Sequence, residues 1–230
     1  MTYTIYYFLG LILMIFILGY LVEYVLSFVF SQYIFRIFVG PGIILHEVSH
    51  ALVARLFGGK VVEFNIFDEK GGSVKYTQPK FSNFTNILVG LAPIIVAIAV
   101  LFLITKLFHF DFILDQNQVL TYKQFKSFFL DLNYHSVKTY IFLYLSLSIA
   151  AAMIPSKQDM SLSWAGLGFF AVLSVLIFFW IPITQKYFLV LLPPLFWAVN
   201  ILIITLIISA ILYLIRLFFT IAVARFQEKR

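Results

Sequence analysis

Long apolar stretches alternate with short polar ones along this chain, and their spacing predicts about six membrane-crossing helices. A helix needs about 20 residues to cross the hydrocarbon core of a bilayer. The apolar stretches cover residues 5–30, 36–57, 85–107, 137–154, 163–184 and 188–224. The first has no Lys or Arg before it and no small-residue cleavage site after it, so we expect a retained span and not a signal peptide. Pro193-Pro194 is expected to break or delay the start of the last one.

The polar segment at about 58–84 predicts a β-hairpin. Val62, Phe64 and Ile66 alternate with polar residues, and the alternation resumes after the turn sequence Asp68-Glu-Lys-Gly-Gly72. A period of two on both sides of turn chemistry is typical of two paired strands. The alternative is an irregular loop that folds back.

A second polar segment, at about 108–136, carries aromatic residues at helical spacing and predicts a short interfacial helix. Neither polar segment reaches the size of a separate domain, which is typically 50 residues or more. The expected fold class is therefore an all-α polytopic membrane protein with a small β-hairpin after the second span. Residues 1–230 are expected to form one membrane-embedded domain.

Composition agrees with a membrane protein and excludes several functions. The chain is 63% hydrophobic and only 11% charged, with a mean hydropathy of +1.02, which lies far outside the range of soluble domains. Its net charge is +6, but the basic residues are scattered between apolar stretches, so a nucleic-acid partner is excluded. The chain has no cysteine, so a thiolate ligand or nucleophile is excluded as well.

Basic residues also indicate the orientation in the membrane, because Lys and Arg are enriched on the cytoplasmic side. With six spans and both termini in the cytoplasm, ten basic residues lie inside and six lie outside. The inside set is Arg55, Lys60, Lys70, Lys75, Lys80, Lys157, Arg216, Arg225, Lys229 and Arg230; the outside set is Arg36, Lys106, Lys123, Lys126, Lys138 and Lys186. The expectation is a multi-pass protein with both termini cytoplasmic.

The second apolar stretch contains His46-Glu47-Val-Ser-His50, a His-Glu-x-x-His pattern. Histidines four residues apart share one face of a helix, so both imidazoles can reach a single Zn²⁺ ion. Glu47 can take the proton of the attacking water and deliver it to a leaving amine. Ionisable groups at membrane depth are costly and by default mark function. The competing interpretation is two structural histidines held by neighbouring helices, with Glu47 paired to one of them.

A catalytic zinc site usually has three protein ligands, and Asp159 is the favoured third. It follows the break at Pro155, between two apolar stretches and on the same predicted side as the end of the motif helix. The competing role for Asp159 is an N-cap of the span that begins near Ser161. The candidates disfavoured by predicted side or depth are His109, His135, Glu23, Glu63, Asp68 and Glu69.

This order of features resembles the site-2 protease family of intramembrane zinc metalloproteases. The resemblance covers about residues 36–165: the motif on an early span, the hairpin, a Gly90-Leu-Ala-Pro93 element and a later Pro-containing break with an aspartate. It implies one Zn²⁺ per chain held by His46, His50 and Asp159, with Glu47 as catalytic acid and base. It also implies a peptide-bond substrate in or near a transmembrane helix of a membrane protein.

One departure from the family pattern indicates a divergent branch. The usual Asn-x-x-Pro…Leu-Asp-Gly sequence is not present, because Gln158 precedes Asp159 and Met160 follows it. The expected function is a zinc-dependent intramembrane endopeptidase in the lipid bilayer, and its oligomeric state stays open.

Three other functions are weighed against this one. A protease that trims lipidated or soluble chain ends would take its third ligand from a Glu on a later helix, but Glu228 is the only Glu beyond the hairpin. A metal-ion transporter would carry polar residues along several spans. A catalytically silent scaffold or chaperone of the same fold would bind substrate helices without needing Glu47.

Overall fold

The computed structural model describes residues 2–68, 71–77, 82–109, 132–156, 175–180 and 185–227, and single positions at 126, 130, 159, 168 and 172. Its elements are α1 Thr2–Val29, α2 Gln32–Phe38, α3 Gly40–Leu56, β1 Val61–Asp68, β2 Gly71–Tyr76, α4 Ser82–Leu107, α5 Val137–Ala152 and α6 Gln185–Gln227. This largely helical architecture with one small antiparallel hairpin confirms the expected fold class.

Within the described residues, three helices are long and apolar enough to cross a membrane: Ile5–Val29, Phe84–Leu107 and Leu191–Arg225, with Val137–Ala152 as a shorter apolar helix. The stretch predicted as one span at 36–57 is divided at Val39 between α2 and α3, and α3 is only about 26 Å long. The predicted span 163–184 and the interfacial helix in 108–136 fall mostly outside the described residues. The count of six spans stays a prediction.

The last apolar stretch forms one continuous helix, so the break expected at Pro193-Pro194 is wrong. Both prolines lie inside α6. Proline removes a backbone N–H and crowds the carbonyl four residues earlier, but membrane helices tolerate it where packing against neighbours compensates. Leu192 and Leu195 are buried in the core on either side of the pair, so tertiary packing outweighs the local preference.

The β-hairpin predicted at about 58–84 is confirmed as a pair of antiparallel strands. Glu63 faces Lys75, Phe64 faces Val74 and Asn65 faces Ser73, with irregularities toward both ends. Gly58, with φ of 83°, ends α3 in the left-handed region that glycine adopts most readily. The amide of Gly59 donates to the Ala54 carbonyl. This tight reversal at Gly58-Gly59 directs the strands back along α3.

The helices around the motif have clear relative directions. Phe57, at the end of α3, contacts Phe84, near the start of α4, so α4 runs opposite to α3. Gly42 is bonded to Ser148, and His46 to Ala152 one turn later, so α5 runs parallel to α3. The end of α5 therefore reaches the depth of the His-Glu-x-x-His motif.

The first and last helices run parallel to each other. Phe8, near the start of α1, and Leu191, near the start of α6, line the same apolar cavity. At the other end, the Tyr213 ring contacts the Phe28 ring with centroids 6.1 Å apart, and the Arg216 guanidinium donates to the Phe28 carbonyl. The start of α1 and the end of α6 therefore lie at opposite ends of the bundle.

The expectation that both termini lie in the cytoplasm stays a prediction, and the parallel arrangement of α1 and α6 favours an alternative to it. If the first and last membrane-crossing helices of a chain are parallel, the chain crosses the membrane an odd number of times. Hydropathy alone does not reveal which helices pack together or in which direction. An odd number of crossings would take Arg216, Arg225, Lys229 and Arg230 out of the inside set, which would leave six basic residues inside and ten outside.

We predict that the two chain ends are exposed on opposite sides of the membrane. Because the natural chain has no cysteine, the variants Thr2→Cys and Lys229→Cys can each be labelled in intact cells with a membrane-impermeant maleimide. One variant should be labelled before lysis and the other only after permeabilisation. Labelling of both, or protection of both, would contradict the parallel arrangement of α1 and α6.

Candidate metal centre

The site begins with a direct backbone contact between α3 and α5. The Gly42 amide donates to the Ser148 hydroxyl at 2.9 Å, and a Cβ on Gly42 would overlap the Ser148 carbonyl. Only glycine allows this approach. The contact sets the register that brings His46 to the end of α5.

Each motif histidine is anchored through its Nδ1 atom to a backbone carbonyl. The Nδ1 of His46 lies 2.7 Å from the Ala152 oxygen, and the Nδ1 of His50 lies 2.7 Å from the Val89 oxygen. Because a carbonyl only accepts hydrogen bonds, these contacts place the ring proton on Nδ1. In the neutral ring, Nε2 then carries the lone pair, as in histidines that ligate a metal through Nε2.

Asp159 faces both Nε2 atoms. Its Oδ2 lies 3.5 Å from the Nε2 of His46, and its Oδ1 lies 3.4 Å from the Nε2 of His50. Charge-assisted hydrogen bonds are shorter, at about 2.7–2.9 Å. By contrast, ligands at about 2.0–2.1 Å from a tetrahedral Zn²⁺ are separated by about 3.3–3.4 Å. The spacing fits shared metal ligands better than direct ion pairs.

Asp159 also forms reciprocal hydrogen bonds with Ser156. Its Oδ2 accepts from the Ser156 amide at 2.9 Å and from the Ser156 hydroxyl at 2.7 Å, and the Asp159 amide donates to that hydroxyl at 3.2 Å. This reciprocal exchange is the side-chain pattern of a Ser-x-x-Asp capping box. The Ser-x-x-Asp spacing could have been read from the sequence, which suggested Asp159 itself as the cap.

Glu47 lies beside this cluster but is not part of it. Among the described residues, His46, His50 and Asp159 form the group that could hold a metal ion, with ligand atoms within 4.8 Å of one another. Glu47 is buried, and it lines a cavity of about 460 Å³ together with His46 and Ser156. The carboxylate is thus close to the cluster while staying free of it.

The hairpin closes over Glu47 at Gly72. A Cβ built on Gly72 would lie 2.6 Å from Cγ, 2.7 Å from Oε1 and 2.9 Å from Cδ of Glu47. Glu47 precedes the last residue of α3 by nine positions, or about 14 Å of helix, so the hairpin re-enters alongside α3. The sequence predicts only that Gly72 lies in a turn. The alternation of the strands does not indicate its long-range contact with Glu47.

Tyr76 of the hairpin lies within electrostatic range of Asp159. Burial and the Asp159 carboxylate raise the pKa of Tyr76, the last residue of β2. The phenol therefore keeps its proton at neutral pH and can act as a hydrogen-bond donor.

The disfavoured ligand candidates stay outside the cluster. The Lys75 ammonium donates to Glu63 at 2.6 Å, and this contact and the Asn65 amide hold the pKa of Glu63 below its usual value. Glu23 lines the same cavity as His46 without joining the ligand group. The structure describes His109 and His135 but does not bring them to the cluster, and the side chain of Asp68 is not among those that it describes. Glu69 lies outside the described residues.

Comparison with known proteins gives one family match. Residues 11–109 match the model of the family described as Peptidase M50B-like. The match supports membership of the site-2 protease family, which confirms the resemblance drawn from the motif, and it indicates a membrane-embedded protease. No curated protein and no solved structure matches the chain. The matched segment contains His46, Glu47 and His50 but ends before Asp159, so the geometry of Asp159 is independent evidence for the ligand group.

We expect purified protein to hold about one Zn²⁺ per chain, and His46→Ala or His50→Ala to lose it, because two remaining ligands bind weakly. Asp159→Ala should weaken binding for the same reason. Elemental analysis after dialysis measures the stoichiometry. His135→Ala is the matched control and should keep the metal. Full zinc occupancy in both motif variants would rule out this centre.

A second prediction concerns the glycine that touches Glu47. In Gly72→Ala the new methyl group must displace either the strand or the Glu47 carboxylate. We expect activity to fall on the order of 100-fold, the effect of about 1 Å of misplacement in an active site, while zinc occupancy is unchanged. Gly10→Ala is the control, because a Cβ there meets nothing within 4 Å. Equal activity in the two variants would refute the contact.

Proposed function

We propose that the protein is a zinc-dependent intramembrane endopeptidase that hydrolyses a peptide bond in or near a transmembrane segment of a membrane protein. One observation carries the proposal: two imidazole Nε2 atoms and the Asp159 carboxylate converge within 4.8 Å beside a buried glutamate. The family match over residues 11–109 supports the protease class.

The donor set favours zinc among the common divalent ions. Two imidazoles and one carboxylate match the ligands of catalytic zinc sites, in which a fourth position stays open. Hard ions such as Mg²⁺ and Ca²⁺ prefer sites made only of oxygen. When bound, Zn²⁺ acts as a Lewis acid that acidifies the attacking water and polarises the scissile carbonyl.

Glu47 supplies the proton transfers. Its carboxylate is buried next to His46 and lines the cavity, where it can accept the proton of the attacking water. The same carboxyl group then delivers that proton to the leaving amine nitrogen as the peptide bond breaks. Glu47 is not needed as a ligand, because His46, His50 and Asp159 already provide three.

The substrate must be partly unwound to reach Glu47. Amides in a transmembrane helix are bonded within that helix, and the bilayer offers no other partner. The hairpin reaches the cavity at Gly72, and its two strands pair with each other, which leaves each strand one edge without a neighbouring strand among the described residues. An unwound substrate segment can pair with such an edge.

The test is cleavage of a model single-span membrane protein in detergent or liposomes. Glu47→Gln keeps the size of the side chain but cannot accept the proton, so we expect turnover to fall by at least about 100-fold with zinc retained. The distribution of product masses locates the cleaved bond, which should lie in or next to the transmembrane segment.

Two results would count against the proposal. Activity near the wild-type level in Glu47→Gln would remove Glu47 from the mechanism. Wild-type protein that holds zinc and binds the membrane substrate without cleaving it would favour the scaffold alternative.

A further inference from the structure

Pro93 lies inside α4, four residues after the carbonyl that anchors His50. In a regular helix the N–H of residue 93 would donate to the Val89 carbonyl. Proline has no N–H, and its ring crowds that carbonyl. The Val89 oxygen therefore lacks its helical donor, and the structure places the Nδ1 of His50 2.7 Å from it.

We infer that Pro93 is a positioning residue of the metal centre: it leaves the Val89 carbonyl open so that this carbonyl accepts the Nδ1 proton of His50 and holds Nε2 toward the metal. The inference rests on the metal centre proposed above. Pro93 does not touch the reacting atoms, and it acts only through Val89 and His50.

The environment of the contact strengthens this role. His50, Val89 and Pro93 are all buried, so water is a poor substitute for either partner. An unbonded carbonyl and an unbonded imidazole N–H inside a bilayer would each be costly. The histidine and the freed carbonyl satisfy each other, and the bond also fixes the tautomer that ligates metal through Nε2.

His46 also contacts a main-chain carbonyl that lacks its usual helical donor. The Ala152 carbonyl belongs to the last residue of α5, and in a longer helix it would accept from the Ser156 amide. The break at Pro155 turns that amide to Asp159, and the Nδ1 of His46 lies 2.7 Å from the Ala152 oxygen. Both anchors are thus main-chain carbonyls whose usual helical donor is missing or diverted.

The test is the Zn²⁺ affinity of the full-length protein, measured by competition with a chromogenic chelator. Pro93→Ala restores an N–H that competes with His50 for the Val89 oxygen. We expect its dissociation constant for Zn²⁺ to rise about 10- to 100-fold, the usual effect of losing an outer-shell partner. Its melting temperature without metal should not fall, because alanine is a better helix former than proline.

A matched control is Pro193→Ala, which removes a proline from inside another apolar helix and should leave the affinity for Zn²⁺ unchanged. Replacing residue 93 by lactic acid, the ester analogue of alanine, removes the N–H without the ring. This analogue should keep an affinity close to that of wild type, which separates the missing donor from the shape of proline.

The absorption spectrum of the Co²⁺-substituted protein provides a second measurement. The visible bands should shift in Pro93→Ala and stay at the wild-type positions in the lactic acid analogue. Wild-type affinity and spectrum in Pro93→Ala would overturn the inference, and so would a lactic acid analogue as weak as Pro93→Ala. If His50→Ala also keeps full affinity, the metal centre itself fails, so the two failures are distinguishable.

Discussion

The organisation of this site depends on one constraint, that a backbone polar group inside a bilayer must find its partner within the protein. A straight helix meets the constraint on its own and leaves nothing to bind a side chain. Interruptions at Pro93 and Pro155 release the carbonyls of Val89 and Ala152 and the amide of Ser156. The imidazole of His50 contacts the Val89 carbonyl, and the imidazole of His46 contacts the Ala152 carbonyl. The Asp159 carboxylate accepts a hydrogen bond from the Ser156 amide.

This constraint also explains how three polar ligands are tolerated at membrane depth. An unpaired polar or ionised group in a low-dielectric interior is expensive, but the Nδ1 atom of each imidazole is hydrogen-bonded to a main-chain carbonyl. The one carboxylate among the ligands, on Asp159, accepts hydrogen bonds from Ser156 and faces the two Nε2 atoms. The folded chain thus holds the three ligands in a convergent arrangement.

Much of this arrangement could be predicted from the sequence, where the signal is local. The His-Glu-x-x-His spacing, the alternation on both sides of the turn and the proline break before Asp159 each depend on a few neighbouring residues. The sequence could not reveal that Gly72 touches Glu47 or that α1 and α6 are parallel, because both depend on which elements pack together. The predicted break at Pro193-Pro194 was wrong for the same reason: the packing of α6 in the core, which the sequence does not reveal, overrides the local preference of proline.

The need of backbone polar groups for a partner inside the bilayer also applies to the substrate, and the hairpin can provide that partner. A peptide bond can be hydrolysed only after its amide has left the substrate helix, and an unwound segment in a bilayer then has unpaired backbone groups of its own. A strand edge is the one protein surface that offers donors and acceptors at the matching repeat. The approach of β2 to Glu47 at Gly72 therefore brings the means of stabilising an unwound segment close to the group that would carry the proton. A hairpin confined to the polar surface would leave those unpaired groups about 14 Å of helix away from the chemistry.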